Sequence, residues 1–345
     1  AIEWSFDALF QFRTIPDWFT ELITTFSDHQ RLIGHGVFFS LFSGNWSPEQ
    51  QAWLTHLQQL SQQYHFDHIT EHFGFMTGAD FHRGAPLSVP LNQVTLNIGI
   101  DRLKRIIEAC SRPVGLENLA FAYSLEEVKR QGDFLLQLIE PVNGFIILDL
   151  HNLYCQLHNF ELALEELIPY YPLDRVREIH ISGGSWESSA WRPAKPVRRD
   201  THDHSVPEEV FQLLRTVMPR CPNLKYVVLE QLGTSLHSAE SQADFRADFS
   251  RMDRIVQNFN YIKKQMDGKN VFTSPFFDQL PVNSLTDNDL YQQQRALALI
   301  LETADSVEAA QQALVASPLA QSDWETEKWS PYMLEAAMAI AQKWK

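Results

Sequence analysis

The chain has 345 residues, which is enough for one large domain with an appendage or for two domains. Hydrophobic residues make up 44% of it and charged residues 21%, a balance that is typical of folded enzymes and excludes an intrinsically disordered chain. The formal net charge is −15, and such an acidic protein repels a phosphate backbone. Nucleic acid is therefore excluded as the expected partner.

The cysteines are few, odd in number and widely spaced, at Cys110, Cys155 and Cys221. This distribution argues against a disulfide framework and against a zinc site built from CxxC pairs. No apolar stretch reaches the roughly 20 residues that a membrane helix needs, and no charged and then apolar leader precedes the fold. We therefore expect a protein of the reducing cytoplasm that does not bind a membrane.

Short β-branched and apolar runs that end in polar residues recur through the first two thirds of the chain, as is typical of buried parallel strands. In chain order they predict strands at residues 1–6, 32–39, 66–71, 113–117, 144–149, 176–181 and 226–230. Amphipathic patterns between these runs predict helices at residues 48–63, 96–110, 125–140, 160–170 and 207–218. Strand and helix therefore alternate.

This alternation is compatible with an open doubly wound sheet or with a closed barrel. The glycine-rich phosphate turn that follows the first strand of a dinucleotide-binding fold is missing, which favours the barrel. We predict an α/β fold, a (β/α)8 TIM barrel with a C-terminal helical appendage. The sequence pattern predicts seven strands, one fewer than the eight of a closed TIM barrel. Because the chain begins at Ala1 inside a predicted strand, we expect the missing strand either to precede that residue or to lie where the pattern does not reveal it.

A helical pattern begins after Gly233 and is followed by a segment that contains glycine and prolines. We predict a metal-binding barrel at residues 1–266, a linker at residues 267–286 and a helical C-terminal region at residues 287–345. Three tail helices are expected, at residues 287–303, 306–316 and 331–345. The tail tryptophans, Trp324, Trp329 and Trp344, are interpreted as helix-packing side chains, with a docking surface for a partner as the alternative.

Polar residues stand at the carboxyl end of every predicted strand but the first, and this rim carries the active site in a barrel of this kind. Neighbouring strand residues point to opposite faces, so Glu71 and His72 cannot both enter the barrel mouth, and we choose His72. Asp200 and His202, two residues apart in a loop, can share one side. The predicted metal ligands are His35, His72, Glu117, Asp149, Asn152, His180, Asp200, His202 and Glu230.

Nine donors are too many for one ion, because a zinc ion takes four protein ligands or fewer and an octahedral ion takes six. Without cations, four clustered carboxylates would repel one another by several kcal/mol or would need strongly raised pKa values. The set therefore predicts more than one bound metal. Imidazole and carboxylate ligands without thiolate suit Fe, Mn or Zn, and the residue types do not choose among them.

The ordered motifs HGV with a following Ser, EH, EN, DxxN with a following Tyr, IHI, DTH and a strand-end Glu cover the chain to about Gly233. In this order they resemble the multinuclear non-haem iron-dependent oxidase family, which includes the methanobactin biosynthesis oxidase. The resemblance implies a xylose-isomerase-like barrel whose usual N-terminal segment, with the first strand, is absent here. It also implies natural-product biosynthesis, in which cysteine or other residues of ribosomal precursor peptides are oxidised by O2 at two or three irons.

The resemblance also implies a grouping of the ligands. One iron would use His35 and His72 with Glu117 as a bridge, a second would use Asp149, His180 and Glu230, and a third would use Asn152, Asp200 and His202. No catalytic residue beyond these ligands is identified. A peptide-recognition partner protein is a further implication.

The chain departs from the family pattern at three places. Gly184 stands where the family commonly has a histidine, His151 replaces an asparagine of its DVNN motif, and Phe160 with Glu161 replaces a histidine and glycine pair. All proposed ligands are kept, so these departures concern the loops that shape the choice of substrate.

Two other classes of function remain open. A Zn- or Mn-dependent barrel hydrolase or isomerase acting on a sugar or phosphodiester would use the same ligand types, although no lysine stands at a strand end. A non-catalytic scaffold could keep the cluster as a structural metal site and use its helical tail for docking. Turnover that requires O2 would distinguish the oxidase from both of these classes. The substrate of the oxidase would be a peptide or, alternatively, a small thiol compound.

Overall fold

The computed structural model describes residues 1–10, 15–78, 81, 83–263, 271–275, 277 and 280–343. The chain forms two compact units. Unit 1 comprises Ala1–Glu117, Ala122–Phe145 and Phe272–Lys345, and unit 2 comprises Asn118–Phe121 and Ile146–Val271. Part of the predicted linker at residues 267–286 lies outside the described residues, as does Trp344 of the predicted last helix.

The strands are β1 Ile2–Trp4, β2 Leu32–His35, β3 Phe66–His72, β4 Phe75–Met76, β5 Pro86–Leu87, β6 Val114–Glu117, β7 Phe145–Asp149, β8 Val176–Ile181, β9 Trp186–Glu187, β10 Val197–Arg198 and β11 Tyr226–Leu229. The α-helices are α1 Asp17–Asp28, α2 Pro48–Gln63, α3 Gln93–Cys110, α4 Leu125–Ile139, α5 Leu150–Phe160, α6 Leu164–Leu167, α7 Glu208–Val217, α8 Ala239–Lys263, α9 Asn288–Thr303, α10 Val307–Val315 and α11 Pro331–Lys343. Single 3-10 turns lie at Phe6–Leu9, Glu140–Val142, Ile168–Tyr170, Leu173–Arg175, Met218–Arg220, Gly233–Ser235 and Thr326–Lys328.

In unit 1, β1, β2, β3 and β6 pair in parallel in that order. Their buried apolar residues, such as Leu32, Ile69 and Leu116, are covered by the amphipathic helices that connect the strands. Helix α2 begins as its sequence predicts, because Ser47 and Gln50 form a capping box. The short antiparallel hairpin of β4 and β5 follows β3.

In unit 2, β7, β8 and β11 pair in parallel, and a short antiparallel hairpin of β9 and β10 follows β8. The order of the parallel strands in the sheet is β1-β2-β3-β6-β7-β8-β11, so each strand adds beside its predecessor in the chain. This order and the helices between the strands confirm the predicted fold class, an α/β fold with TIM-barrel topology followed by C-terminal helices. Seven such strands lie in the described part of the chain, as the sequence pattern indicates.

Two predicted elements differ from the structure by more than three residues at an end. The second strand ends at His35 instead of residue 39, because the backbone amides of Val37 and Phe38 turn to the buried carboxylate of Asp7, at 2.9 and 2.8 Å. The helix predicted at residues 160–170 is also wrong, since α5 begins directly after β7, at Leu150. A left-handed residue, Glu161, ends that helix.

The helical tail belongs to unit 1. Trp329 stacks on Tyr123 with ring centroids 3.7 Å apart, and Trp324 packs edge-on against Phe75 at 5.8 Å. Both tryptophans are buried, which confirms the packing interpretation for these two. No helix in the described ranges is long and apolar enough to cross a membrane.

Glu127 provides a pH-dependent contribution to the stability of unit 1. Burial raises the pKa of its carboxyl, which accepts the amide of Tyr123 at 2.8 Å, to about 7. The folded chain therefore holds this proton longer than the unfolded chain, whose pKa is about 4.3. The contribution of Glu127 to the free energy of unfolding therefore falls as pH rises from about 4.5 to 7 and stays constant above pH 7.

Between pH 4.5 and pH 8 we therefore expect the free energy of unfolding of the parent chain to fall by about 3 kcal/mol more than that of Glu127→Gln. Urea titrations at the two pH values measure this difference. The control is Glu126→Gln, at the exposed neighbouring position. Equal pH dependence in the parent chain and in the Glu127 variant would contradict the prediction.

Candidate metal centres

Unit 1 brings three of the predicted ligands together at the ends of three neighbouring strands. His72 is the register partner of Glu117 across β3 and β6, and His35 ends β2 beside them. The Nε2 atoms of His35 and His72 lie 3.3 and 3.5 Å from the same carboxylate oxygen, Oε2 of Glu117. One donor atom from each residue lies within 4.8 Å of the other two, a spacing that a single metal ion can bridge.

Hydrogen bonds on the far side of each imidazole fix its tautomer. Nδ1 of His72 lies 3.1 Å from the carbonyl of Gly36, which can only accept, so this nitrogen carries the hydrogen. Nδ1 of His35 lies 2.8 Å from the hydroxyl of Thr70, which itself donates to the carbonyl of Gly34. In the neutral rings, Nε2 therefore presents its lone pair to the carboxylate of Glu117. A lone pair facing a carboxylate oxygen at this distance requires a proton or a metal cation between them.

Glu71, the rejected alternative to His72, lies outside this group. Its Oε2 accepts the backbone amide of His72 at 3.0 Å, and burial, followed by the nearby Asp7, raises the pKa of its carboxyl well above the usual value. A Cβ added at Gly36 would lie 2.2 Å from its Oε1. Glu71 thus supports the loop after β2, and its burial favours the neutral form of its carboxyl.

In unit 2, donor atoms of Asp149, His180 and Glu230 lie within 4.8 Å of one another. Asp149 is the register partner of His180 across β7 and β8, and Nδ1 of His180 lies 3.2 Å from Oε2 of Glu230. Nε2 of His180 points to another buried carboxylate, that of Glu178, at 3.8 Å. Glu178 was missed in the sequence, although its spacing of two residues from His180 in a strand places both on one face.

The two asparagines near Asp149 fix its position. The side chain of Asn118 accepts the amide of Asp149 at 2.7 Å and donates to its carbonyl at 3.2 Å. Nδ2 of Asn152 donates to the carbonyl of Asn118 at 2.8 Å. Because Oδ1 of Asp149 accepts the amide of Asn152 at 2.6 Å, this aspartate also caps helix α5.

The loop before α7 adds Asp200 and His202 to the unit 2 group. Nε2 of His202 lies 2.8 Å from Oδ1 of Asp200, and its Nδ1 lies 3.3 Å from Oε1 of Glu230. The same Oδ1 of Asp200 lies 3.0 Å from Nδ1 of His151. Since Arg198 donates to Nε2 of His151 at 3.0 Å, the Nδ1 atom of that ring carries the hydrogen and donates it to Asp200.

The roles of His151 and Arg198 could not be predicted from the sequence, because neither residue ends a predicted strand. Burial lowers the pKa of His151, in keeping with its role as a neutral donor to Asp200. All nine predicted ligands lie in one of the two groups or in direct contact with a member, with Asn152 bonded to Asp149. Burial also raises the pKa of Cys155 well above that of an ordinary thiol, which disfavours its thiolate form.

The charges in the unit 2 group predict that metal uptake releases a proton. Burial lowers the pKa of His202, but the adjacent carboxylates of Asp200 and Glu230 outweigh burial and raise it well above the usual value. Burial likewise raises the pKa of Glu230, but His202 and His180 outweigh it and leave that pKa well below the usual value. Without metal, the two carboxylates therefore favour the protonated form of His202.

A metal ion that binds His202 must displace this proton. We expect metal addition at pH 7 to release about one proton per chain from this residue and metal affinity to fall about tenfold per pH unit below it. Calorimetric titration with Fe(II) under argon, in buffers of different ionisation enthalpy, counts the released protons. His202→Gln should release about one fewer, and an unchanged count in that variant would contradict the assignment.

Among solved structures, the chain is similar to a xylose isomerase domain containing protein from Salmonella typhimurium LT2, with a TM-score of 0.42 and 14% identity over 69% of this chain and 79% of that chain. It is also similar to a xylose isomerase-like TIM barrel protein from Mycobacterium smegmatis in complex with magnesium. That likeness has a TM-score of 0.42 and 14% identity, and it covers 71% of this chain and 78% of the other.

Among curated proteins, the UPF0276 protein of Acaryochloris marina is 26% identical over 189 residues, which are 54% of this chain and 64% of that protein. The UPF0276 protein of Pasteurella multocida is 26% identical over 220 residues, 57% of this chain and 69% of the relative. The chain thus spans less than two thirds of the first relative. The family model described as RiPP precursor modification enzyme MbnB/TglH/ChrH matches residues 12–243, about two thirds of the chain. The chain belongs to this MbnB/TglH/ChrH family of RiPP precursor modification enzymes.

Proposed function

We propose that the chain is an iron-dependent oxidase that uses O2 to modify a ribosomal precursor peptide, with cysteine as the expected target residue. One observation carries this proposal: in unit 1, the Nε2 lone pairs of His35 and His72 both point to the same carboxylate oxygen of Glu117. Family membership supports the peptide as substrate. A donor set without thiolate supports a non-haem metal site.

The donors divide into three groups under this proposal. The first ion would be held by His35, His72 and Glu117, the second by Asp149, His180 and Glu230, and the third by Asn152, Asp200 and His202. When bound, iron supplies the one-electron and O2 chemistry that no side chain can supply.

The protein's own contribution is to orient the ligands and to fix where their protons lie. The carbonyl of Gly36 and the hydroxyl of Thr70 hold the hydrogens of both unit 1 imidazoles on Nδ1. His151 donates to Asp200 and is held in turn by Arg198. Such outer hydrogen bonds fix the ring orientation and raise the basicity of the ligands, and their loss typically costs 10- to 100-fold in affinity or activity.

The test is aerobic turnover of synthetic cysteine-containing precursor peptides by the Fe(II)-loaded protein. We expect O2 uptake, followed with an oxygen electrode, in step with a mass change of the peptide. The matched control is the same mixture under argon, which should be inactive. Turnover of a sugar or phosphodiester under argon would instead indicate a Zn- or Mn-dependent hydrolase or isomerase. Metal-loaded protein that consumes no O2 with any peptide or small thiol would contradict the proposal.

A further inference from the structure

A cavity of about 580 Å³ opens within unit 1. Four segments line it, namely the loop after β2, the first turn of helix α2, the residues around the β4 and β5 hairpin, and helix α9 of the C-terminal tail. Its wall combines apolar side chains such as Phe38 and Met76 with the guanidinium groups of Arg83 and Arg295. The cavity is therefore suited to a ligand with both apolar and anionic parts.

The cavity is lined in part by the chain segments that follow the two strands carrying the unit 1 imidazoles. Phe38 follows His35 by three residues, and Phe75 follows His72 by three. The two loops are joined by a hydrogen bond from the amide of Met76 to the hydroxyl of Ser40, at 3.0 Å. A ligand in the cavity thus lies against the loops that leave the candidate metal centre.

Helix α9 is a fixed wall of this cavity. The side chain of Gln294 donates to the carbonyl of Phe42 at 2.8 Å and accepts the amide of Gly44 at 2.9 Å. The amide of Asp287, the N-cap of α9, donates to the carbonyl of Gly44 at 2.8 Å. A Cβ added at Gly44 would lie 2.5 Å from the backbone nitrogen of Tyr291, so this contact requires glycine. The tail is therefore a part of the cavity and of the loop after β2.

The charges of the cavity favour an anion. Among the described residues that line it, two are arginines and one is an acid, Glu49, although the whole chain carries a net charge of −15. Arg295 is exposed, and its guanidinium makes no hydrogen bond or ion pair with the described residues. A planar guanidinium matches a carboxylate with two parallel hydrogen bonds.

We propose that this cavity binds a carboxylate-bearing segment of the peptide substrate, with Arg295 and Arg83 contacting the carboxylate and Phe38 and Met76 contacting apolar atoms. The inference rests on the proposed function in one respect, since it takes the substrate to be a peptide. The carboxylate can come from an acidic side chain or from the peptide's C-terminus, and the two sources share the same chemistry.

The test is fluorescence anisotropy with the full chain and three fluorescein-labelled peptides that share one neutral, cysteine-containing hexapeptide sequence. The first peptide has an amidated C-terminus, the second is amidated but has one serine replaced by aspartate, and the third has a free C-terminal carboxylate. We expect at least one carboxylate peptide to bind roughly tenfold more tightly than the neutral amide. The carboxylate peptide that binds more tightly shows whether the carboxylate comes from an acidic side chain or from the C-terminus.

Arg295→Gln should remove most of this preference and leave binding of the neutral amide unchanged. The matched control is Arg246→Gln, at an exposed position of α8 in unit 2, which makes the same change of charge and should keep the preference. Equal binding of all three peptides, or equal losses in the two variants, would overturn the inference. Because binding is measured without O2, in protein as purified and after anaerobic iron loading, failure here is distinct from failure of the oxidase proposal.

Discussion

Glu117→Gln is expected to remove the metal ion from the unit 1 centre and to lower peptide turnover about a thousandfold. The carboxylate of Glu117 is the shared partner of both imidazoles, with its Oε2 3.3 and 3.5 Å from their Nε2 atoms. Glutamine keeps the shape but removes the charge, and its amide hydrogens can occupy the place of the cation. Metal analysis and the turnover number of the purified variant measure both effects.

The matched control is Glu71→Gln. This side chain belongs to the same unit, is as buried as Glu117, and its burial raises the pKa of its carboxyl, which favours the neutral acid. An amide therefore replaces a neutral acid, and we expect metal content and turnover close to those of the parent chain. Equal loss of metal in both variants would show that the site responds to general disruption of the unit, which contradicts the assignment of Glu117 as a ligand.

Asp149→Asn is expected to have the second largest effect, the loss of metal from the unit 2 group with retained folding. Asparagine is as good an N-cap as aspartate, so the bond to the amide of Asn152 and the start of helix α5 are kept. The negative charge that faces His180 and Glu230 is lost. Metal content should fall by at least one ion per chain, and peptide turnover should fall by two or more orders of magnitude.

Asp149→Ala separates the two roles of this residue. It removes the cap as well as the ligand and should lower the free energy of unfolding by about 1 kcal/mol relative to Asp149→Asn. Thermal unfolding of the metal-free variants measures this difference. An Asp149→Asn protein that keeps full metal content would show that Asp149 only caps the helix.

The parallel strands could be predicted from the sequence because each buries both faces, so its apolar run is nearly continuous and ends where the chain turns polar. The end of an apolar run does not always mark the end of the strand. The second run continues to Phe39 in apolar residues, but Asp7 binds the amides of Val37 and Phe38 and ends the strand. A contact with a residue 30 positions earlier in the chain cannot be predicted from the local sequence pattern.

Most of the predicted ligands could be selected from the sequence because they stand at or near strand ends, where a barrel gathers its polar side chains. The helix start at Leu150 was not visible, since LDLHNLY continues an apolar strand and only the capping bond from Asp149 to Asn152 marks the change. The supporting residues Thr70 and His151 were also missed. Their roles depend on hydrogen bonds between distant parts of the chain, to His35 and to Asp200.

The most direct test of the central claim is the metal content of anaerobically purified protein, determined by mass spectrometry together with Mössbauer spectra of the iron. We predict two or three irons per chain, bound to nitrogen and oxygen donors and lost in part in Glu117→Gln and in part in Asp149→Asn. One zinc per chain, or no metal after anaerobic loading with Fe(II), would contradict the claim that this protein is a multinuclear iron oxidase.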